Sequence, residues 1–210
     1  MSKVLLSSQS FGCLDEMLSI AAMTSLQGSV WFTGEGDRKD HESARRKFAA
    51  EEGDHLTLLN VFQAFTTTGK QDAKWCANHY LNYKSMTRAV SIRNQLRRYL
   101  ERFGISAEAS LPRQKHAGTD LDKAEPIRRC LTSGFFAHAA KMQPDGTFRP
   151  VSGSTTLHAH PTSLMFNRKA EWVIFHEIME TSSKTFIRDV TKIEKRWLTQ
   201  YAPEFYQTKH

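Results

Sequence analysis

Basic residues are concentrated between Lys84 and Phe103, where they could bind phosphate groups. At 100° per residue, its apolar side chains collect on one side of a helix and predict the packed face. That face comprises Ala89, Ile92, Leu96, Tyr99, Leu100 and Phe103. The basic side chains lie outside this apolar face. They form a ridge of Lys84, Arg88, Arg98 and Arg102, with Arg93 and Arg97 at the far edge. Cationic groups arranged in this way can contact the phosphates of a nucleic acid. Such binding depends little on base sequence and strongly on salt concentration.

A second basic group lies in TSSKTFIRDV, from Thr181 to Val190. TSSK separates two strand-like runs, EWVIFHEIM and TFIRDVTKI, and this pattern predicts a β-hairpin. Side chains two apart share one face of a strand, so Lys184, Phe186 and Arg188 should lie together. We expect Phe186 to belong to the core rather than to form a platform for a base, whereas Lys184 and Arg188 are free to meet phosphate.

Motifs for nucleotide hydrolysis are missing from the sequence. The single Gly-Lys pair, Gly69 with Lys70, is followed by glutamine and lacks the upstream glycine of a GxxxxGK[ST] loop. A DEAH sequence and a GxSxG nucleophile elbow are also missing. If these 210 residues are the complete polypeptide, we expect no ATPase activity.

Histidines raise the question of a metal site. His158 and His160 share one face of a predicted strand, and His176 with Glu177 lies on a neighbouring one. Convergence with a third ligand would create a metal site. Hydrogen bonding at the surface or the sheet edge is the simpler interpretation, and we expect no metal.

The composition is that of a globular protein with excess positive charge. Hydrophobic residues make up 40% of the chain, and no stretch approaches the ~20 apolar residues of a membrane span. Lys and Arg outnumber Asp and Glu by 29 to 22, and this net charge of +7 favours a polyanionic partner or serves solubility. Three widely spaced cysteines indicate neither a disulfide framework nor a CxxC site, and fit a reducing compartment.

Helical periodicity dominates the first half of the sequence. Helices are predicted over residues 14–26, 37–52, 54–65, from 74 onward and over 84–103. Gly53 should end the second of these, a solvated helix, and the carboxylate of Asp54 should cap the third. Between Gly104 and Glu125 the apolar pattern dissolves, which marks the best domain boundary.

Short apolar stretches alternate with turn signals in the second half. IRRCLTSGFFAHAA should begin as a helix, and PDG at 144–146 and SGS at 152–154 mark turns. These spacings predict a small β-barrel, with a helical turn from Trp197 packed on it. The expected fold class is therefore α+β.

Several ordered motifs resemble the C-terminal region of DEAH-box RNA helicases. GDHLTLLNVF at 53–62 and WCANHYLNYKSMTRAVSIRNQL at 75–96 resemble the helicase-associated ratchet domain of that family. HAHPTSLMF at 158–166 and EWVIFHEIMETSSKTFIRDVT at 171–191 resemble its OB-like domain.

The resemblance implies an α-helical ratchet-type bundle followed by a small OB-like antiparallel β-barrel. It places the helicase-associated domain at 1–106, a linker at 107–126 and the OB-like domain at 127–210. The RecA-like motor domains of the family are not recognisable in this sequence. ATP and Mg²⁺ are therefore expected only on motor domains outside the chain, which itself should need no cofactor.

In the family, ratchet helices line the RNA channel, and the OB-like domain approaches the 5′ part of the RNA or regulatory partners. The resemblance therefore implies RNA contacts by Arg88, Arg93, Asn94, Arg97, Thr162, Ser163, Lys184 and Arg188. TSSK departs mildly from the family hairpin, which usually has two threonines or a threonine with lysine. Whether hydroxyl groups of this hairpin contact RNA is therefore left open.

The leading hypothesis is an RNA-binding and partner-docking C-terminal module of a DEAH-box ATP-dependent RNA helicase, acting in pre-mRNA splicing or ribosome biogenesis. Expected partners are single-stranded RNA, helicase motor domains in cis or trans and a G-patch-type activator, but no membrane. The expected location is the nucleus, with the nucleolus and cytoplasm left open. The alternative is a truncated, non-catalytic scaffold that docks motor domains or an activator without contacting RNA.

Overall fold

The computed structural model describes residues 1–32, 38–106 and 120–206. The helices of the first half are α1 (Ser2–Ser7), α2 (Leu14–Thr24), α3 (Arg38–Arg46), α4 (Asp54–Thr66), α5 (Ala73–Asn78) and α6 (Tyr83–Arg102). The second half begins with α7 (Asp120–Phe135) and a 3₁₀ turn (Phe136–His138). Five strands follow: β1 (Ala139–Met142), β2 (Phe148–Pro150), β3 (Leu157–Ala159), β4 (Trp172–Glu180) and β5 (Thr185–Ile193). Two helices, α8 (Lys195–Tyr201) and α9 (Pro203–Tyr206), end the described chain.

Side-chain caps set the start of two of the helices. Asp72 accepts a hydrogen bond from the Trp75 amide at the start of α5, and Asn82 does the same for Ser85 at the start of α6. At α4 the N-cap is Gly53, which has no side chain to cap the helix, and the amide of His55 in the first turn donates to the Thr191 hydroxyl at 3.4 Å. The prediction that the Asp54 carboxylate caps α4 is therefore wrong.

The packed face of α6 is rotated from the predicted one. Met86, Ala89 and Leu100 are buried, but Tyr99 is 56% exposed and Phe103 is 77% exposed. The reason is that α2 packs along α6 and offers polar partners as well as apolar ones, so that an arginine side chain lies in the contact. None of the described helices combines the length and apolarity that crossing a bilayer requires.

The strands close into a barrel in the order β1-β2-β3-β5-β4, which confirms the OB-like part of the fold. Four of its pairings are antiparallel, but β3 runs parallel to β5, so the barrel is not purely antiparallel. The predicted hairpin is confirmed, since β4 and β5 are joined by a turn in which the Thr181 amide donates to the Lys184 carbonyl.

The helical half and the barrel share a core. A cluster of buried side chains joins α1, α2, α4, α7 and α8 to the strands, with Trp197 of α8 fully buried beside Ile193 of β5. The terminal helix is thus packed where it was predicted. Of the predicted linker, 107–119 lies outside the described residues, and the part from 120 on belongs to α7, which packs on α1. The domain boundaries stay a prediction.

Candidate nucleic-acid interface

A cleft of about 270 Å³ lies between the helical half and the barrel. The helical side consists of the end of α2, the segment that follows it, one side chain of α3 and the first turns of α4. The barrel side consists of the segment after β3 and the middle of the β4–β5 hairpin. The polar and aromatic side chains of the lining include Trp31, Arg45, Asp54, Thr162, Ser163, Glu177, Arg188 and Asp189.

Asp54 ties the two sides of this cleft together. Its carboxylate accepts hydrogen bonds from the Ser163 hydroxyl at 2.6 Å, the Leu164 amide at 2.7 Å and the Val190 amide at 2.8 Å. Burial raises the pKa of Asp54 to about 6, against the opposing effect of these hydrogen bonds. The carboxylate is therefore ionised at pH 7, and it holds the segment after β3 and strand β5 against the start of α4.

A neutral histidine adjoins this carboxylate. His55 contacts the Thr191 hydroxyl through Nδ1 at 2.8 Å, and burial lowers the pKa of His55 to about 4. Nearby, burial acts to raise the pKa of Asp189, but His176, whose Nδ1 lies 3.7 Å from the carboxylate, and the charges of neighbouring groups lower it overall. These groups form the seam between α4 and the β4–β5 hairpin, and Asp189 also lines the cleft.

Two guanidinium groups from different halves of the chain line the cleft. Arg188 lies 3.6 Å from a carboxylate oxygen of Glu177, a loose ion pair. Arg45 lies over the Trp31 ring, 5.3 Å from its centre, and burial lowers the pKa of Arg45 without removing its charge. Guanidinium groups suit phosphate because their planar donors match its oxygens, and an aromatic ring offers a surface for a base.

The structure brings three of the barrel residues predicted from sequence to this cleft. Thr162 is exposed and its Oγ1 lies 2.7 Å from Nδ1 of His160. Ser163 is buried with its hydroxyl committed to Asp54, so it positions the segment rather than reaching outward. Arg188 lines the cleft, whereas Lys184 is exposed in the hairpin turn and is not part of the lining.

The predicted residues of α6 lie elsewhere and are not equivalent. Arg93 donates from Nε to the Ser19 hydroxyl at 2.9 Å and pairs with Asp15 at 3.0 Å, and Arg97 pairs with the same carboxylate oxygen at 2.6 Å. The prediction that Arg93 lies away from the packed face is wrong, because α2 supplies these partners. Asn94 lines grooves beside α6 that share no lining residue with the cleft, and Arg88 is exposed.

Comparison with known proteins identifies the family. A helicase associated domain (HA2), ratchet-like, matches residues 1–58, and an oligonucleotide/oligosaccharide-binding (OB)-fold matches residues 127–206. The probable ATP-dependent RNA helicase DHX35 of Homo sapiens is 44% identical over 208 residues, which cover 98% of this chain and 28% of that protein. The pre-mRNA-splicing factor ATP-dependent RNA helicase prp22 of Schizosaccharomyces pombe is 34% identical over 209 residues, 99% of this chain and 17% of that protein. The chain is similar to the C-terminal region of DEAH-box RNA helicases.

The chain spans well under a third of these relatives' length. A further relative, the DHX35 homolog of Caenorhabditis elegans, is 41% identical over 98% of this chain and 27% of its own length. The resemblance of the motifs to the ratchet and OB-like domains of DEAH-box helicases is therefore confirmed.

The sequence analysis did not identify Trp31 and Arg45 as candidate RNA-binding residues. Residues 37–52 form a charge-rich stretch that was interpreted as a solvated helix. One signal was present, since Ala44, Phe48 and Ala49 give that stretch a narrow apolar stripe, and Arg45 directly follows Ala44. Its position over Trp31, in one lining with barrel residues, is a tertiary arrangement that no local pattern encodes.

Two histidines at strand β3 of the barrel, His158 and His160, pack against an aromatic ring. Within the described ranges, no three His, Cys, Asp or Glu side chains are grouped so that they could hold a metal ion. His158 and His160 instead have ring centres 6.0 and 5.6 Å from that of Phe186. Phe186 is half-buried beside them, and Ile187 occupies the barrel core, so the expectation that Phe186 is a core residue is wrong.

Proposed function

We propose that this region binds single-stranded RNA in the cleft between the helical half and the barrel. The observation that carries the proposal is the convergence of Arg45 and Arg188, which are distant in sequence, with the Trp31 ring in one lining. Phosphates would contact the guanidinium groups and a base would stack near the ring. Thr162 is exposed at the same cleft and can add a hydroxyl contact.

The α6 surface is a second element of this proposal. Arg88 and Asn94 are exposed and available to RNA, whereas Arg93 and Arg97 would have to leave Asp15 to reach a phosphate. Lys184 is exposed at the hairpin turn and is a further cation that can contact the RNA. Binding should depend strongly on salt and weakly on base sequence, as expected for contacts to phosphates.

The relatives support a wider proposal for the parent protein. Those compared above are named as ATP-dependent RNA helicases, and one of them as a pre-mRNA-splicing factor. We place this chain's parent in nuclear RNA processing, with ATP and Mg²⁺ bound by motor domains outside these residues. The region would then dock on those domains while it holds the strand, and a G-patch-type activator remains a candidate partner.

Fluorescence anisotropy with a labelled oligouridylate tests the RNA proposal. The double variant Arg45→Gln, Arg188→Gln should bind at least about tenfold more weakly, because charge-assisted contacts are lost. Its plot of log K against log salt should flatten by about 0.7 for each phosphate contact removed. The control Lys70→Gln, Lys74→Gln removes the same charge from exposed positions outside the cleft lining and should bind like the parent.

A scaffold that docks motor domains without touching RNA is the competing proposal. The exposed rings of Tyr99 and Phe103 at the end of α6 favour it, because they offer apolar area to a protein partner. Apolar docking changes little with ionic strength. No measurable RNA binding by the parent, together with docking on motor domains that changes little with salt, would decide for the scaffold.

A further inference from the structure

A second and larger groove, of about 1080 Å³, lies on the barrel next to the cleft. One segment connects them: Thr162 to Leu164 line the cleft, and the residues from Met165 to Glu171 line the groove. The other wall of the groove is the β1–β2 hairpin. The two cavities share no lining residue, so the groove is a distinct surface.

The groove carries cations without acidic partners. Lys141, Arg168 and Lys169 line it and are exposed, and no carboxylate of the described residues forms an ion pair with them. Arg149 is the cross-strand neighbour of Lys141, so two like charges stand side by side. Such an arrangement costs stability unless an anion lies between the charges.

The acidic residues of the groove offset these cations only in part. Asp145 accepts hydrogen bonds from the amide and the hydroxyl of Thr147, at 2.9 and 2.7 Å, which hold its carboxylate against its own turn. These bonds lower the pKa of Asp145. Glu171 is the other acid of the lining. The groove is therefore net positive, and its exposed ring, Phe166, is 44% exposed.

A ridge of rings on β3, the residue just after it and β5 joins the cleft to the groove. His160 contacts Thr162 of the cleft and packs edge-on against Phe186, and Phe186 lies beside His158, which lines the groove. Burial and the charge of Arg188 lower the pKa of His160, so its ring is neutral at pH 7. The ridge thus offers flat ring surfaces between two cationic cavities.

We propose that the groove is a second subsite for the same RNA strand, which leaves the cleft, crosses the ridge and places its phosphates against Lys141, Arg168 and Lys169. This inference rests on the proposed function of the cleft and extends it. Alternating rings and cations favour RNA over an acidic peptide, because each nucleotide supplies both a flat base and a phosphate. An acidic peptide would match the cations and leave the rings unused.

The test is a ladder of labelled oligouridylates, from about 4 to about 16 nucleotides, bound to the full 210-residue chain. Affinity for the parent should rise with length until both subsites are filled. The groove variant Lys141→Gln, Arg168→Gln, Lys169→Gln should match the parent on the shortest oligomer and bind the longest about tenfold more weakly. The cleft variant Arg45→Gln, Arg188→Gln should be weaker at every length.

A matched control removes the same charge from exposed positions outside both cavities: Lys70→Gln, Lys74→Gln, Lys195→Gln. It should follow the parent at every length, and circular dichroism should show equal folding of all variants. If the groove variant follows the parent throughout, or is weakened equally at all lengths, the second subsite is refuted while the cleft proposal stands. If the parent binds no oligomer, both fail. Displacement of the longest oligomer by polyglutamate from the parent but not from the groove variant would assign the groove to an acidic peptide instead.

Discussion

The hydroxyl of Ser163 donates a 2.6 Å hydrogen bond to the carboxylate of Asp54, a residue 109 positions earlier in the chain. The bond joins the first turn of α4 to the segment that lines both the cleft and the groove. Because the same carboxylate also accepts the amides of Leu164 and Val190, one buried side chain fixes the helical half, the segment after β3 and strand β5. The geometry of the proposed RNA site therefore depends on a residue that need not touch RNA.

Removing this carboxylate should destabilise the protein more than removing its hydroxyl partner. Asp54→Ala leaves two buried donors and one partly buried donor without an acceptor. It should lower the free energy of unfolding by about 2–4 kcal/mol, whereas Ser163→Ala should cost about 1–2 kcal/mol. Urea denaturation followed by circular dichroism measures both. Ser182→Ala, in the exposed hairpin turn, is the control and should change stability by less than about 0.5 kcal/mol. Equal stability of Asp54→Ala and the parent would contradict the role given to the carboxylate.

Stability should depend on pH in a way that separates Asp54 from His55. The folded-state pKa of Asp54, about 6, lies above the ordinary value of ~3.9, so its contribution to stability falls as pH rises from about 4 to 6. The folded-state pKa of His55, about 4, lies below the ordinary ~6.5, so its contribution rises in nearly the same window. The two effects oppose each other in the parent.

The variant Asp54→Asn removes one of these two effects. Its destabilisation relative to the parent should be larger at pH 4 than at pH 7, by about 2–3 kcal/mol, because only the parent has the proton that Asp54 retains on folding. Urea denaturation of both proteins at several pH values gives this difference, in which the contributions of other groups cancel. A difference that stays constant with pH would mean that Asp54 ionises in the folded state as it does in the unfolded chain.

Sequence patterns located the elements of this fold better than their faces. Turn chemistry and alternation were sufficient for the Thr181–Lys184 hairpin, since both signals are local. The face of α6 was misjudged because a helical wheel sorts residues by polarity, and Asp15 and Ser19 of α2 make a polar residue, Arg93, fit into the contact. The cleft was beyond local patterns for the same reason, because its lining joins residues from both halves of the chain.

Two arginines of α6 should therefore respond differently to substitution. Arg93→Ala loses hydrogen bonds to α2 and a contact over the Phe62 ring, and should destabilise the protein by about 1–2 kcal/mol. Arg88 is exposed, and since alanine is a good helix former, Arg88→Ala should leave the melting temperature nearly unchanged while weakening RNA binding. Thermal melts and anisotropy on both variants check this. Equal melting temperatures would show that Arg93 contributes nothing to the α2–α6 contact.

At Gly53 the backbone of the helical half lies directly against strand β5. The φ of Gly53 is +130°, and a Cβ built there would lie 2.3 Å from the Val190 carbonyl oxygen and 2.8 Å from the Thr191 Cα. Gly53→Ala should therefore force α4 away from β5, with loss of the Asp54 bonds, at a cost of about 3 kcal/mol or more. Gly28→Ala is a matched control, because its φ is +94° but nothing lies within 4 Å of the added Cβ. Gly28→Ala therefore introduces backbone strain alone and should cost about 1–2 kcal/mol.

Urea denaturation of both glycine variants compares their stabilities. RNA titration of Gly53→Ala, at a temperature where this variant stays folded, should show weakened binding, because Arg188 and Thr162 shift away from Arg45. If the two glycine variants are equally stable, the close approach of α4 to β5 does not exist in solution.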